Sequence, residues 1–323
     1  QGEFKSRFWT ELPGKLDQND CKTNWLHIYC GDPSRSSARQ IKAKLENFNN
    51  SNGGAQVHTL LETFLSWPVA LKTLIDWFGL LNFAKSLEPI VSRVDSEGIY
   101  LWPLFKAEWH SSISGVSSIS TMLNFNLFEK AVGILPKQWV GIYLYEQQVW
   151  ELALIHCWRH EQHGTLVGAQ HSTILDWNLR NFHDPRSYER LDSNDLPMPD
   201  ILAVNGPIAM DSIIKSGYPE GRLFEVEALR YLYLDNLIKE NEFSQFKKTA
   251  VLRLLVLGDY LEANTKSQMD LLVRTLVSFP VDILITVKPH PSLMIDPSDY
   301  PEIDITVTTE PLKNLLGDCD LAY

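Results

Sequence analysis

The sequence predicts an α/β fold made of two domains, each with a parallel sheet. Short apolar runs rich in β-branched residues alternate with helical stretches, which is typical of strands joined by crossover helices. The length of 323 residues is enough for two domains of roughly 100–200 residues each. A polar, charged stretch, "DNLIKENEFSQFKKTA" at 235–250, interrupts the alternation, which then restarts. It therefore predicts a connection between a domain at 1–234 and a second at 251–323.

In the first domain, the apolar runs predict strands at 25–30, 98–105, 140–146, 164–172, 200–206 and 221–228. Helices are predicted at 36–50, 57–94, 117–135, 148–161 and 207–217. The stretch 57–94 should break at Pro68, because proline cannot donate a backbone hydrogen bond.

The second domain repeats the rhythm over a shorter length. Strands are predicted at 251–258, 282–287, 303–308 and 320–323, and helices at 265–279 and 311–317. This is about half of a complete α/β unit. The chain starts with Gln and ends in the strand-like "GDCDLAY", so we expect a fragment that lacks its start and has a truncated second domain.

Composition narrows the functional class. The net charge of −11, from 29 Lys and Arg against 40 Asp and Glu, disfavours a free-standing nucleic-acid binder. The four cysteines are scattered without a C-x-x-C pair, which favours reduced thiols in a cytoplasmic protein. The most apolar segment, 67–84, carries Lys72 and Asp76 and is too interrupted to span a bilayer. Peripheral contact with the inner face of the cytoplasmic membrane is the open alternative.

Ligands of open parallel sheets bind beyond the carboxyl ends of the strands, so the residues after each strand are the candidates. In the second domain these are Gly258 and Asp259, then Lys288 followed by "PHP" at 289–291. Lysine, histidine and rigid backbone amides suit a phosphate. The alternatives are a turn glycine and a solvated strand end.

In the first domain, Glu146 follows a predicted strand and could accept a proton from a hydroxyl. Glu151 lies one helical turn later, beside Trp150. Their structural alternatives are a first-turn helix carboxylate for Glu146 and a solvated face for Glu151.

The densest polar group comes after residues 164–169, at the end of the predicted strand, and Arg230 lies near the domain connection. Glutamine and histidine can bind ligand hydroxyls, and arginine can pair with a carboxylate or phosphate. No G-x-S-x-G elbow surrounds any serine, so a serine hydrolase fits poorly. The group comprises Gln170, His171, Ser172, Asp176 and Arg180.

His156 and His160 are four residues apart on a predicted helix and could bind a metal. The pattern is not H-E-x-x-H and no third ligand is evident. Exposed helix histidines are the preferred interpretation, and no metal or cofactor is expected.

The segments "YLYEQQVWELAL", "GAQHSTILDWNLRNFHD", "DILAVNGP", "VEALRYL", "VLGDY", "VKPHP" and "DLAY" occur in this order. From about residue 20 to the end, the chain resembles bacterial surface-carbohydrate biosynthesis proteins of the O-antigen type. This resemblance implies the GT-B fold of glycosyltransferases, in which two Rossmann-like domains face a cleft. The His-Pro pair is also similar to the HP motif of transferases that use CMP-sugars, both Kdo and sialic acid, where the histidine contacts the nucleotide phosphate.

The resemblance implies a metal-independent glycosyltransferase that moves a sugar, with a CMP-sugar favoured as donor, to a surface or lipid-linked glycan. The alternatives are a nucleotide-sugar epimerase or polyol-phosphate transferase of the same fold, or a non-catalytic glycan-assembly subunit. We assign the candidates to three roles: catalytic, Glu146, Asp176 and His171; donor-binding, Gly258, Asp259, Lys288, His290, Pro291 and Arg230; acceptor-binding, Gln170, Ser172, Trp150, Glu151 and Arg180.

Overall fold

The computed structural model describes residues 4–6, 8–30, 36–93, 95–96, 98–174, 179–182, 196–232, 251–276 and 282–323. The chain divides into two compact units, Gln1–Leu232 (unit 1) and Tyr233–Tyr323 (unit 2). Both units are Rossmann-like, with parallel strands and helical connections, so the predicted α/β class is confirmed. The connection at 235–250 lies outside the described residues, and the cleft between two facing domains stays a prediction.

The strands of unit 1 are β1 (Thr23–His27), β2 (Gln56–Leu60), β3 (Asp95–Ser96), β4 (Ile99–Tyr100), β5 (Val140–Tyr145), β6 (Thr165–Gln170), β7 (Ile201–Asn205) and β8 (Leu223–Val226). Its helices are α1 (Leu12–Gln18), α2 (Ala38–Ser51), α3 (Trp67–Val91), α4 (Trp102–Ser114), α5 (Val116–Gly133), α6 (Val149–His160) and α7 (Gly206–Lys215).

The main sheet of unit 1 is parallel and has the order β5-β6-β7-β8. Strands β1 and β2 form a separate parallel pair, and β3 and β4 a short antiparallel pair. The core lies between the main sheet and helices α5 to α7, where Phe128, Leu166, Leu202 and Ile213 are almost fully buried. This packing fixes the carboxyl edge of the sheet, which positions the candidate site.

Three features of unit 1 differ from the prediction. Residues 56–60 form β2 rather than helix, because His58 and Leu60 alternate inward with period two and the segment pairs with β1. Pro68 does not break a helix: it lies in the first turn of α3, where a missing amide donor costs nothing. Of the predicted strand 98–105, only Ile99 and Tyr100 are extended, since Pro103 lies in the first turn of α4.

Unit 2 contains β9 (Val251–Leu257), α8 (Glu262–Leu276), β10 (Asp282–Lys288), β11 (Ile305–Val307), α9 (Leu312–Leu315) and β12 (Leu321–Ala322). Its four parallel strands have the order β11-β10-β9-β12, that is third, second, first, fourth along the chain. This order matches the first four strands of the doubly wound Rossmann sheet, 3-2-1-4. Val256, Met269 and Val287 are fully buried between the sheet and α8.

Within the described part of the chain, no helix combines the length and apolar character needed to cross a membrane. The four cysteines are all free thiols.

Candidate active site

The carboxyl edge of the main sheet brings two predicted catalytic residues together. Tyr145 at the end of β5 is in register with Gln170 at the end of β6, so the residues that follow them are neighbours. These are Glu146 and His171, and the Glu146 carboxylate is hydrogen-bonded to Nδ1 of His171. The His171 side chain is only 11% exposed and that of Glu146 33%. The pair is therefore partly shielded from solvent, which strengthens its electrostatic interaction.

Arg230 lies on the other side of His171, on the short 3₁₀ helix after β8. Its Nη1 is 3.3 Å from the backbone oxygen of His171 and 3.5 Å from the ring nitrogen Nε2. A guanidinium can only donate hydrogen bonds, so Nε2 presents its lone pair and the ring proton is on Nδ1, which donates to Glu146. The contacts therefore place the ring proton of His171 on Nδ1, towards Glu146, and turn Nε2 towards the Arg230 guanidinium.

The backbone around Glu146 is held in place by Glu151, in the first turn of α6. Its Oε1 accepts hydrogen bonds from the N–H groups of Glu146 (2.9 Å) and Gln148 (2.8 Å). Gln147, between them, has a φ of +61°, a conformation that a residue other than glycine adopts at a cost. This strained turn, locked by Glu151, directs Glu146 towards His171.

Glu151 is almost completely buried, at 2% exposure, so the alternative of a solvated face is wrong. Burial raises the pKa of Glu151 to about 7, although the backbone N–H groups favour its charged form. The first-turn alternative for Glu146 is also wrong, because α6 begins three residues later, at Val149. Glu151 thus positions the site through the backbone, and its acceptor-binding role stays a prediction.

The remaining acceptor-side candidates are placed differently. Gln170 links β6 to β7 at the edge of the sheet. Its Oε1 accepts from the backbone N–H of Asn205 (2.7 Å), and its Nε2 donates to the backbone oxygen of Ser172 (2.8 Å). Ser172 and Arg180 are exposed. The Trp150 ring packs against the core, 6.1 Å from the rings of Phe128 and Tyr143. Asp176, the third catalytic candidate, lies outside the described residues.

Two aromatic residues of the N-terminal segment cover the site, and sequence reasoning missed both. The Phe8 ring meets the His171 ring edge-on, with 4.5 Å between centroids. Nearby, the Thr10 hydroxyl donates to the backbone oxygen of Leu229 (2.9 Å). Phe8 and Trp9 enclose, with His171 and Arg230, a cavity of about 30 Å³. They precede His171 by more than 160 residues and belong to no motif, so the sequence carried no signal for them.

In unit 2, the ends of β9 and β10 are in close backbone contact. The N–H of Gly258 donates to the oxygen of Lys288 (3.0 Å). A Cβ atom on Gly258 would lie 3.2 Å from Cα of Pro289 and 3.5 Å from the nitrogen of His290. The glycine thus permits the approach of the two loops, which brings the two predicted donor-binding stretches together.

Hydrogen bonds order both loops of this corner. Nδ1 of His290 accepts from the backbone N–H of Ser292 (3.2 Å), so the ring proton is on Nε2, and the residue is exposed. Asp259 accepts from the N–H of Leu261 (2.8 Å) and from the Asn264 amide (3.1 Å). These bonds, with a smaller contribution from His290, lower the pKa of Asp259. The corner therefore presents a ring N–H donor from His290, while the Asp259 carboxylate accepts hydrogen bonds from residues at the start of α8.

The histidines of α6 stack on each other, with 6.4 Å between the ring centroids of His156 and His160. In the residues that the structure describes, no group of three or more His, Cys, Asp or Glu side chains is arranged to hold a metal ion.

No protein-family model matches the chain, and no curated protein sequence matches it. Among solved structures, the chain is similar to a UDP-N-acetylglucosamine 2-epimerase from Rickettsia bellii. The identity is 10%, the match covers 93% of this chain and 68% of that chain, and the TM-score is 0.36. A likeness of this strength carries no argument about activity, so function must be inferred from the site itself.

Proposed function

We propose that this protein is a metal-independent glycosyltransferase that moves a sugar from a nucleotide donor, preferably a CMP-sugar, to a surface or lipid-linked glycan. The observation that carries the proposal is the hydrogen-bonded pair of Glu146 and His171 at the carboxyl edge of the main sheet. In many transfer enzymes a carboxylate that holds one ring nitrogen orients the other as the base, and in this proposal Nε2 exchanges its 3.5 Å contact with Arg230 for the acceptor hydroxyl.

In this proposal, Nε2 of His171 takes the proton of an acceptor hydroxyl as its oxygen bonds to the anomeric carbon of the donor sugar. The bond from that carbon to the phosphate oxygen breaks, and its electron pair leaves with the nucleotide. Glu146 stabilises the imidazolium that forms. Arg230 supplies a positive charge next to His171, where it can attract an anionic group of the substrate.

Unit 2 supports the nucleotide part of the proposal. His290 exposes a ring N–H, and Lys288 at the end of β10 adds an ammonium group. Both can bind phosphate oxygens and stabilise the charge of a departing nucleotide. The preference for a CMP-sugar rests on the likeness of the His-Pro pair to the motif of CMP-sugar transferases.

The covered cavity has a consequence for substrate entry. About 30 Å³ holds roughly one water molecule, whereas a sugar ring needs several times that volume. In this proposal, Phe8 and Trp9 shift when a glycan hydroxyl reaches His171.

Product analysis with a panel of CMP-, UDP- and GDP-sugars tests the proposal. The expected result is release of CMP in step with a new glycosidic bond on a glycan acceptor. Conversion of a UDP-sugar without an acceptor would instead identify an epimerase. If no nucleotide sugar is consumed and no nucleotide binds, the protein is a non-catalytic subunit and the proposal fails.

Nucleotide binding is tested separately by calorimetric titration of CMP. His290→Ala should weaken binding by on the order of 10-fold, the loss expected for one hydrogen bond to a charged group. His110→Ala changes a histidine on α4 in unit 1 and serves as the control. Equal CMP affinity for the wild type and His290→Ala would remove His290 from the donor site.

A further inference from the structure

Helix α3 exposes a row of large apolar side chains over its first three turns. Trp67 is 90% exposed, and the other four side chains are between 46% and 62% exposed. The row consists of Trp67, Leu71, Leu74, Ile75 and Phe78, and we call it the α3 stripe. The opposite face of the helix, with Val69 and Thr73, is buried against α5. The stripe is thus a second apolar face that the described residues leave uncovered.

The spacing of the stripe favours a helix as its partner. Trp67, Leu71, Leu74 and Phe78 are separated by four, three and four residues. This is the spacing of the a and d positions of a heptad, whose side chains form the seam between two packed helices. Ile75 lies beside this seam and widens it.

The charges around the stripe argue against a lipid surface. No charged residue lies within the stripe, and Lys72 is turned aside, where its Nζ pairs with Asp76 (2.9 Å) and Glu129 (3.1 Å). The chain as a whole carries a net charge of −11. An anionic membrane would repel such a protein, and Lys72, the basic residue beside the stripe, is already paired with two carboxylates.

The area of the stripe fits a protein partner. Its five side chains expose roughly 600 Å² together, given that one aromatic side chain offers about 150–250 Å². Two such surfaces bury about 1,200 Å², which reaches the range of specific protein interfaces. The largest exposed apolar patch of a typical monomeric protein covers about 300–600 Å², so the area of the α3 stripe is at the upper end of that range.

We propose that the α3 stripe is the interface of a homodimer, in which α3 packs antiparallel against α3 of a second copy. A two-fold axis between Leu71 and Leu74 makes the stripe self-complementary. Trp67 then packs on Phe78 of the partner subunit, and Leu71 packs on Leu74 of the partner subunit. The proposal is independent of the enzymatic activity.

Sedimentation equilibrium from about 1 to about 100 μM protein tests the proposal, over the range in which such interfaces associate. The expected result for the wild type is a dimer. The triple variant Trp67→Ser, Leu71→Gln, Phe78→Gln should dissociate on the order of 100-fold more readily, because central aromatic residues carry most of the binding energy. Unchanged far-ultraviolet circular dichroism would show that the variant is folded.

The matched control changes apolar residues that are equally exposed elsewhere in unit 1, Trp139→Ser and Ile208→Gln, which are 91% and 81% exposed. This variant should remain a dimer. A wild-type monomer at every concentration, or a triple variant that dimerises as well as the wild type, would overturn the proposal. Stripe-dependent binding to phosphatidylcholine vesicles by a monomeric protein would assign the stripe to a lipid surface instead.

Discussion

Glu151 gives unit 1 a pH-dependent stability that one substitution should remove. The pKa of this buried carboxyl is raised from its ordinary value of 4.5 to about 7. The folded state therefore holds the proton more tightly than the unfolded chain. The resulting stabilisation is complete below pH 4.5, declines as the pH rises, and is lost above about pH 7. At about 1.4 kcal/mol per pKa unit, its full size is on the order of 3 kcal/mol.

The variant Glu151→Gln mimics the protonated acid and can still accept the N–H groups of Glu146 and Gln148. We expect the free energy of unfolding of the wild type, relative to this variant, to fall by about 3 kcal/mol between pH 4.5 and pH 7.5. Urea unfolding followed by tryptophan fluorescence measures it, and since all ten tryptophans lie within unit 1, the signal reports that unit alone. Glu108→Gln, an exposed change on α4, is the control.

A free energy of unfolding of the wild type that, relative to the variant, stays constant or rises between pH 4.5 and pH 7.5 would refute the reasoning. It would mean that the backbone hydrogen bonds outweigh burial and keep Glu151 charged. Glu151 would then hold the backbone of Glu146 and Gln148 as a charged carboxylate and not as a protonated carboxyl group.

Three further outcomes follow from the site. Glu146→Gln should lower kcat on the order of 10²-fold at unchanged CMP affinity, because the base loses its partner; an unchanged kcat would contradict the pairing. Phe8→Ala should lower the acceptor KM about twofold to tenfold, since one aromatic contact of about 0.5–1.5 kcal/mol no longer closes the cavity; a higher KM would show that Phe8 binds the acceptor. Gly258→Ala should weaken CMP binding about fivefold in calorimetry, because its Cβ displaces Pro289 at a cost of about 1 kcal/mol. Equal CMP affinity would argue that the loops after β9 and β10 do not bind the nucleotide.

Much of the fold could be predicted from the sequence, because the buried strands of both units are short apolar runs of β-branched residues. Strands β5 to β9 and β11 lie within the predicted runs, and β10 extends one residue beyond its run, to Lys288. The prediction failed where the same apolar pattern suits two structures. "VHTL" at 57–60 is compatible with a helix, and only its pairing with β1 makes it a strand. The predicted strand at 98–105 instead gives way to helix α4 at Trp102, which has a proline in its first turn.

The candidate site could be predicted only in part. Glu146 and His171 were accessible from the sequence because both follow strands that parallel pairing makes neighbours. The positioning role of Glu151 could not be predicted from the sequence, since its hydrogen bonds to the backbone depend on the strained turn at Gln147. Phe8 could not be found either, because its contact with His171 is purely tertiary.

In the proposed function, Nε2 of His171, aligned by Glu146, is the base of a glycosyl transfer. The most direct measurement compares single-turnover rates of wild type and His171→Asn with the preferred nucleotide sugar and acceptor, with the exposed His160→Asn as control. We expect a loss of about 10²–10⁴-fold for His171→Asn at unchanged nucleotide affinity, and no loss for the control. Full transfer activity in His171→Asn would contradict it.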